Sequence, residues 1–446
     1  MTAHKIHASP TKDFFVRMIT KDISLVDCIL DLIDNCLDGA RKSLIAGGGA
    51  HDKFNYTGFR ASVSFDGNSF TISDNCGGIR IEEAINYAFH FGRRPNAPSD
   101  GDYSIGLYGI GMKRAIFKLG NHITISSSTS EDAFVTTIDV KEWLSRPAKD
   151  GSGEDWDFDM EVVEVGAIGT NIKVTALHPD IATQFMNPSF ANSLARIIGR
   201  DYSQYLAKGF EISIGNRKIL PFPFTIKQSA SFRPVRLQYT DETGVEVEIF
   251  AGMSGLPPDD LQPTDKRTEA DYYGWFVICN DRVVVAADKT EQTVWGTSGF
   301  PAWHFQYNGF IGVVSFESKD PSFLPWKTTK RDVDVTNGAY RRALERMKEV
   351  TRIWVNYTNE RKADMELAKI EESKAIAQPL FETLPSARLE VPKVAKVARI
   401  AVSSIQYSKP TTDIAKVKRL LGNASMSNAR AGEMTFDYYL SNESAE

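Results

Sequence analysis

Four side chains with oxygen donors cluster early in the chain: Asp31, Asp34, Asn35 and Asp38 in "DLIDNCLD". On a helix they fall within an arc of roughly 100°, and Asp27 joins them. Such a face is either solvated or gathered around a cation and a water. Mg²⁺ suits the second reading, because it takes oxygen ligands, keeps several waters and leans on substrate phosphates. A carboxylate one turn before Asn35, here Asp31, is placed to orient an attacking water. A second candidate is "ISDNCGGI", residues 72–79. An aspartate ending a strand before glycines is either a plain turn or an acceptor for an exocyclic amine. A charged acceptor in a partly dry site contributes about 1.5–3 kcal/mol. The third is "GLYGIGMK", residues 106–113. It is not a P-loop, since Met112 separates Gly111 from Lys113, and its glycine spacing inverts that of the dinucleotide fingerprint. Glycines before a helix still leave backbone N–H groups free for an anion, and Lys113 adds charge. Gly169-Thr170 before a strand takes its meaning from this company alone.

The elements that must position these residues follow from periodicity. Val26, Ile29, Leu30, Ile33 and Leu37 give residues 22–41 a helical stripe opposite the acidic one. "ASVSFDGNSFTISDN" alternates as two strands around a DGN turn. "IRIEEAINYAF" and "GIGMKRAIFKLG" read as helices, with a Pro/Gly/Ser/Asp loop of about 14 residues between them that suits a lid. Strands are expected at "NHITISSSTS", "AFVTTIDV" and "VGAIGTNIKVTAL", helix over 187–208, and a hairpin at "GFEISIGNRKILPF". Further strands fall at "VEVEIFAGM", "YGWFVICNDRVVVAA" and "FIGVVSFES". One helix of over 30 residues is expected after Ala339, with Leu344, Met347, Thr351 and Trp354 as a seam for its own domain or a second copy.

Bulk properties set limits. The chain has 446 residues, 42% hydrophobic content and a net charge of −5, so it is not a globally basic nucleic-acid binder. Its four cysteines show no C-x-x-C spacing, its histidines no metal-ligand spacing, and no apolar run reaches membrane length. Reduced thiols, a cytoplasmic location and no membrane partner are the expectations.

Taken in order, D-L-I-D-N-x-x-D, D-N-x-G-G-I, G-x-x-G-x-G-M-K and G-T before a strand resemble the GHKL ATPase superfamily. This is the Bergerat-fold group of DNA gyrase B, Hsp90, MutL and the histidine kinases. The resemblance implies an α+β protein: a Bergerat-type α/β sandwich over 1–180, a transducer-like domain over 181–338, and a long helix with a basic, weakly structured tail over 339–446. It implies ATP and Mg²⁺ as cofactors, with Asn35 holding the metal and Asp74 the adenine amino group. Gly78 would pass close to the base. Gly106, Leu107, Tyr108, Gly109, Ile110, Gly111, Met112 and Lys113 would line the phosphates near Asp38, and Thr170 would support the adenine site. Asp31 stands where the family usually has Glu, one methylene longer, which points to slow hydrolysis. Cys76 replaces a glycine of the usual turn and constrains it.

Later residues choose among family members. "FLPWKTTKRDVDV", residues 323–335, is similar to the loop that carries a γ-phosphate-sensing lysine in gyrase, MutL and microrchidia ATPases. Lys330 matches best and Lys327 is the reserve. "IGRDYSQYL", "FEISIGNRKI" and "GWFVICNDRVV" bear a looser likeness to microrchidia proteins. From Lys393 to Arg419, Lys393, Lys396, Arg399, Lys409, Lys416, Lys418 and Arg419 face one acid, Asp413. That stretch either touches DNA phosphates or is solvated. The expected function is an ATPase whose nucleotide state closes a homodimer, as a DNA-associated clamp in genome maintenance or defence. An Hsp90-like chaperone, or an ATP-sensing scaffold for a protein partner without turnover, are the alternatives.

Overall fold

The architecture is seen in a computed structural model that describes residues 10–49, 54–92, 103–106, 109–148, 153–258, 272–297, 299–393 and 403–443. These divide into two compact units, Met1–Ala395 and Lys396–Glu446.

Helix α1 (Lys12–Lys21) precedes α2 (Leu25–Ala46), which Ser24 caps by accepting from the Asp27 amide at 3.1 Å. Of the apolar stripe of α2, Ile29, Leu30, Ile33 and Leu37 are 0% exposed as the periodicity predicts, while Val26 is half-buried. Each such side chain contributes about 1.5–3 kcal/mol on burial. The stripe packs on α4 (Gly111–Leu119) and β1 (Arg60–Phe65). Between β1 and β2 (Ser69–Asp74), Asp66 accepts from the amides of Asn68 and Ser69, which fixes the DGN turn. The intervening helix is short: α3 (Ile81–Glu83) runs at once into a π turn, Ala84–Ala88.

Six more strands complete the first sheet: β3 (Gly120–Ser128), β4 (Ala133–Asp139), β5 (Met160–Val162), β6 (Gly169–Leu177), β7 (Glu211–Ile214) and β8 (Arg217–Lys218). Their order is β5-β4-β3-β6-β2-β1-β7-β8, antiparallel except where β1 runs parallel to β7. Alternation buries one face: Ile123, Ile125, Ile172, Val174, Phe70, Ile72 and Val63 point to the core, while Lys173 is exposed. This helix-on-sheet layer is α+β.

After β9 (Thr225–Gln228), a second sheet comprises β10 (Val235–Thr240), β11 (Glu246–Met253), β12 (Gly274–Cys279), β13 (Arg282–Asp288) and β14 (Phe310–Glu317), ordered β10-β11-β14-β12-β13. β12 is buried at every position because both its faces are covered. Trp275, Val277 and Cys279 join the main core, whereas Phe276 and Ile278 join a second cluster with Phe224, Phe250 and Leu380. The Trp275 ring fills the space where a Gly312 side chain would stand.

Two expectations change here. The long helix ends at Glu360, where a 3-10 turn (Arg361–Ala363) leads into a second helix, Met365–Ser373. The break is fixed by a buried pair, Arg361 Nε to Glu372 Oε1 at 2.8 Å, and by Asp364 capping the new helix. Its seam serves its own domain: Trp275 Nε1 donates to Thr351 Oγ1 and Trp354 Nε1 to the Tyr307 carbonyl, both at 3.1 Å. The tail, weakly patterned in sequence, forms helices Thr411–Leu420 and Asn428–Glu443 in the second unit. Lys396 and Arg399 of the basic stretch lie outside the described residues.

Candidate functional site

The acidic side of α2 is not a solvated face. Asp31, Asp34 and Asp38 are 3%, 0% and 8% exposed, and each is met by a cation. Arg114, on α4, grips Asp31 Oδ2 with two nitrogens at 2.7 and 2.6 Å. Asp34 accepts from Tyr202 Oη at 2.8 Å and lies 2.9 Å from both Arg282 Nε and Lys330 Nζ. Lys330 Nζ is also 3.9 Å from Asp31 Oδ1. Burial raises Asp31 above the ordinary carboxylate range, with Lys330 and Arg114 pulling against it. At Asp34 burial acts the same way, but Arg282 and Lys330 outweigh it and hold the group low. From Cys28 to Asp38, Asn35 is the one exposed side chain, so its amide alone on this stretch opens outward.

Asp74 ends β2 in a different environment. Its Oδ1 accepts from the Cys76 amide at 2.7 Å and the Thr170 amide at 3.4 Å, and its Oδ2 from the Cys36 thiol at 3.5 Å. Every one of these donors is neutral. Burial raises the Asp74 carboxyl, and these hydrogen bonds offset part of the rise. The turn that follows needs glycine at two places: Gly77 and Gly78 have φ of 108° and 74°. A Cβ on Gly78 would also stand 2.2 Å from the Ser128 carbonyl oxygen. Cys76 carries no positive φ, so the turn takes a side chain there without strain; it is buried, with its Sγ near the Arg60 carbonyl. Thr170 Oγ1 lies 3.1 Å from Ser127 Oγ, which accepts from the Ile79 amide.

The glycine stretch lies along the acidic helix. Asp38 accepts from the amides of Ile105 and Gly106 at 2.8 and 2.7 Å. A Cβ on Gly106 would stand 3.1 Å from Asp38 Oδ2, and one on Gly111 3.4 Å from Asp31 Cγ. Gly109 has φ of 64°. From Gly111, α4 starts without a side-chain cap, which leaves its first amides unpaired within the helix.

Residues 23–170, which carry all three segments, match the family described as histidine kinase-, DNA gyrase B- and HSP90-like ATPase. Residues 23–170 thus form a GHKL-type domain. By that match the segment is of the ATP-binding, GHKL ATPase type. Among curated proteins, none matches the chain.

The GHKL residues fit the nucleotide. Side chains on Gly106 and Gly111 would stand against the carboxyl groups of Asp38 and Asp31, α4 starts without a side-chain cap, and Asp74 meets only neutral donors. Mg²⁺ fits as a companion of the phosphates: the exposed Asn35 offers a neutral side-chain oxygen.

Not every expected residue is presented beside these segments. Met112 is buried in the core, and Lys113 is buried with Nζ donating to the Ala88 carbonyl at 2.8 Å. Ile110 is the N-cap position of α4, and Leu107 and Tyr108 lie outside the described residues, as do residues 93–102 of the expected lid. Lys327 pairs with Asp332 within its own loop, whereas Lys330 reaches α2. Arg114, Arg282 and Tyr202 were not anticipated. The "MKR" triplet brings Arg114 next to the motif, but nothing in "CNDR" or "RDY" points to α2.

Proposed function

We propose that the chain binds ATP with Mg²⁺ in the groove between α2, the end of β2 and the glycine stretch, and hydrolyses it. In this reading Asn35 is the protein's metal ligand, Asp74 takes the adenine amine, Gly78 and Thr170 support the base, and amides from Gly106 to Gly111 hold the phosphates. Asp31 orients the water, and Lys330 answers to the γ-phosphate. The reading rests on one observation above all: Lys330, from the loop after β14, stands 2.9 Å from Asp34 and 3.9 Å from Asp31. A phosphate entering the groove competes with both carboxylates for that ammonium, so nucleotide state sets how the second sheet is held to α2. Calorimetry with a non-hydrolysable ATP analogue and Mg²⁺ tests it: Asn35→Ala abolishes binding, and unchanged affinity refutes the metal assignment.

Arg114 favours a second reading. Its two-pronged hold on Asp31 stands where an attacking water would be oriented. If the hold persists with nucleotide bound, the chain senses ATP without turnover. Phosphate release by the wild type, lost in Asp31→Asn with binding kept, decides for hydrolysis. The finer parts are closure of a homodimer by ATP, read by light scattering with and without the analogue, and a microrchidia-like clamp on DNA through the basic tail. Salt-sensitive stimulation of turnover by DNA distinguishes that clamp from an Hsp90-like chaperone.

A further inference from the structure

The tip of the β12–β13 hairpin is built from Asn280 and Asp281, with φ of 45° and 65°. Two left-handed residues in a two-residue loop match the twist of the strands they join, and Asn and Asp tolerate that backbone better than most side chains. The tip is not at the surface. Asn280 is 1% exposed. Its Nδ2 donates to the carbonyls of Ser318 at 3.1 Å and Ser104 at 3.4 Å, and its Oδ1 accepts from the Ser318 amide at 3.0 Å. Ser104 is the residue from which the chain enters the glycine stretch.

The same residue meets that stretch by a second route. The Asn280 carbonyl accepts from Tyr205 Oη at 2.7 Å, and Tyr205 Oη accepts from Arg41 at 2.5 Å. Arg41 in turn donates to Asp38 Oδ1 at 2.6 Å, and Asp38 takes the amides of Ile105 and Gly106. The hydrogen bonds form a ring that leaves Asn280 by its carbonyl, passes through Tyr205, Arg41 and Asp38, and returns through residues 104–106 to its side chain. Arg41, Asp38, Tyr205 and Ser104 are all buried. Such a ring has little freedom to rearrange, because each member left unpaired in a dry interior is costly. Moving Ser104–Gly106 therefore moves the hairpin, and the reverse.

We propose that Asn280 is a positioning residue for the nucleotide: through this ring it sets Ser104–Gly106, the entry to the phosphate cradle, against the second sheet. The inference rests on the ATP reading above. It gives the hairpin a second route to the site beside that of Arg282, which meets Asp34 and the Lys330 carbonyl, and this route acts on the phosphate end and not on the adenine end, where Asp74 and Thr170 stand apart from the ring.

The full chain is titrated with Mg²⁺ and a non-hydrolysable ATP analogue, and separately with adenosine, which needs the Asp74 end alone. Asn280→Gly keeps the left-handed backbone and removes the side chain. Tyr205→Phe keeps the ring packing and removes the link between Asn280 and Arg41. Each variant is expected to bind the analogue roughly tenfold more weakly, the scale of one hydrogen bond, with adenosine affinity unchanged. Unchanged analogue affinity in both variants overturns the inference, as does an equal loss for analogue and adenosine, which marks a general structural role. If Asn280→Gly does not fold, Tyr205→Phe decides. Failure of the wild type to bind the analogue defeats the ATP reading itself and is seen before any variant is made.

Discussion

The acidic face of α2 and the end of β2 both bury carboxylates, yet they satisfy them differently. Asp31 and Asp34 are met by Arg114, Arg282 and Lys330, two of which come from the second sheet or the loop after it. Asp74 is met by two amides and a thiol. Charge met by distant charge fastens parts of the molecule together. Charge met by neutral donors keeps acceptor capacity for a ligand. The difference separates a region that holds the fold from one that, in the proposed function, recognises a base, although both read simply as aspartates in the sequence.

The largest expected effect breaks the first kind of pairing. Asp34→Ala leaves Arg282 and Lys330 buried without their partner and costs about 3–5 kcal/mol in denaturant unfolding. A loss below about 1 kcal/mol would show that the pair is compensated elsewhere. Asp74→Asn acts oppositely, weakening nucleotide affinity by about 1.5–3 kcal/mol while leaving the unfolding midpoint near wild type. Calorimetry and denaturation measured together separate the two sites.

Acid sharpens the same contrast. The Asp34 carboxyl is held below its ordinary value of 3.8, so its stabilisation is present above that pH and is lost as pH falls through the lower folded value. Asp31 and Asp74 are raised, and their contribution has the reverse sign: protonation relieves them. Stability measured from pH 6 down to pH 2 is expected to fall less steeply in Asp34→Asn than in the wild type, and an unchanged slope would count against the assignment. The smallest effect is at Lys327, whose partner Asp332 lies in the same exposed loop. Lys327→Ala changes stability by about 0.2–1 kcal/mol at most and leaves nucleotide affinity alone.

Much of this was legible in the sequence because it was local. Periodicity marks α2, the β1–β2 hairpin and most strands of both sheets, though not β5 or β10, and the ordered motifs mark the segment that matches the family. Lys330 was legible through the resemblance of its loop, not through any spacing from α2. What stayed hidden depends on contacts across long separations. Arg282 reaches Asp34 from a hairpin whose sequence shows only alternation, and Tyr202 reaches it from the turn between the helices Pro188–Asp201 and Ser203–Ala207. The break at Arg361 was hidden because its cause, Glu372, lies beyond the turn it stabilises. Nor does a helical wheel tell a solvated acidic face from one buried against cations.

The most direct measurement is a structure of the full chain with Mg²⁺ and a non-hydrolysable ATP analogue. The account predicts the adenine amine on Asp74, the ion on Asn35, phosphates along Gly106–Gly111, and Lys330 turned from Asp34 toward the terminal phosphate. A nucleotide bound away from these three segments, or none in a crystal soaked to saturation, would contradict it.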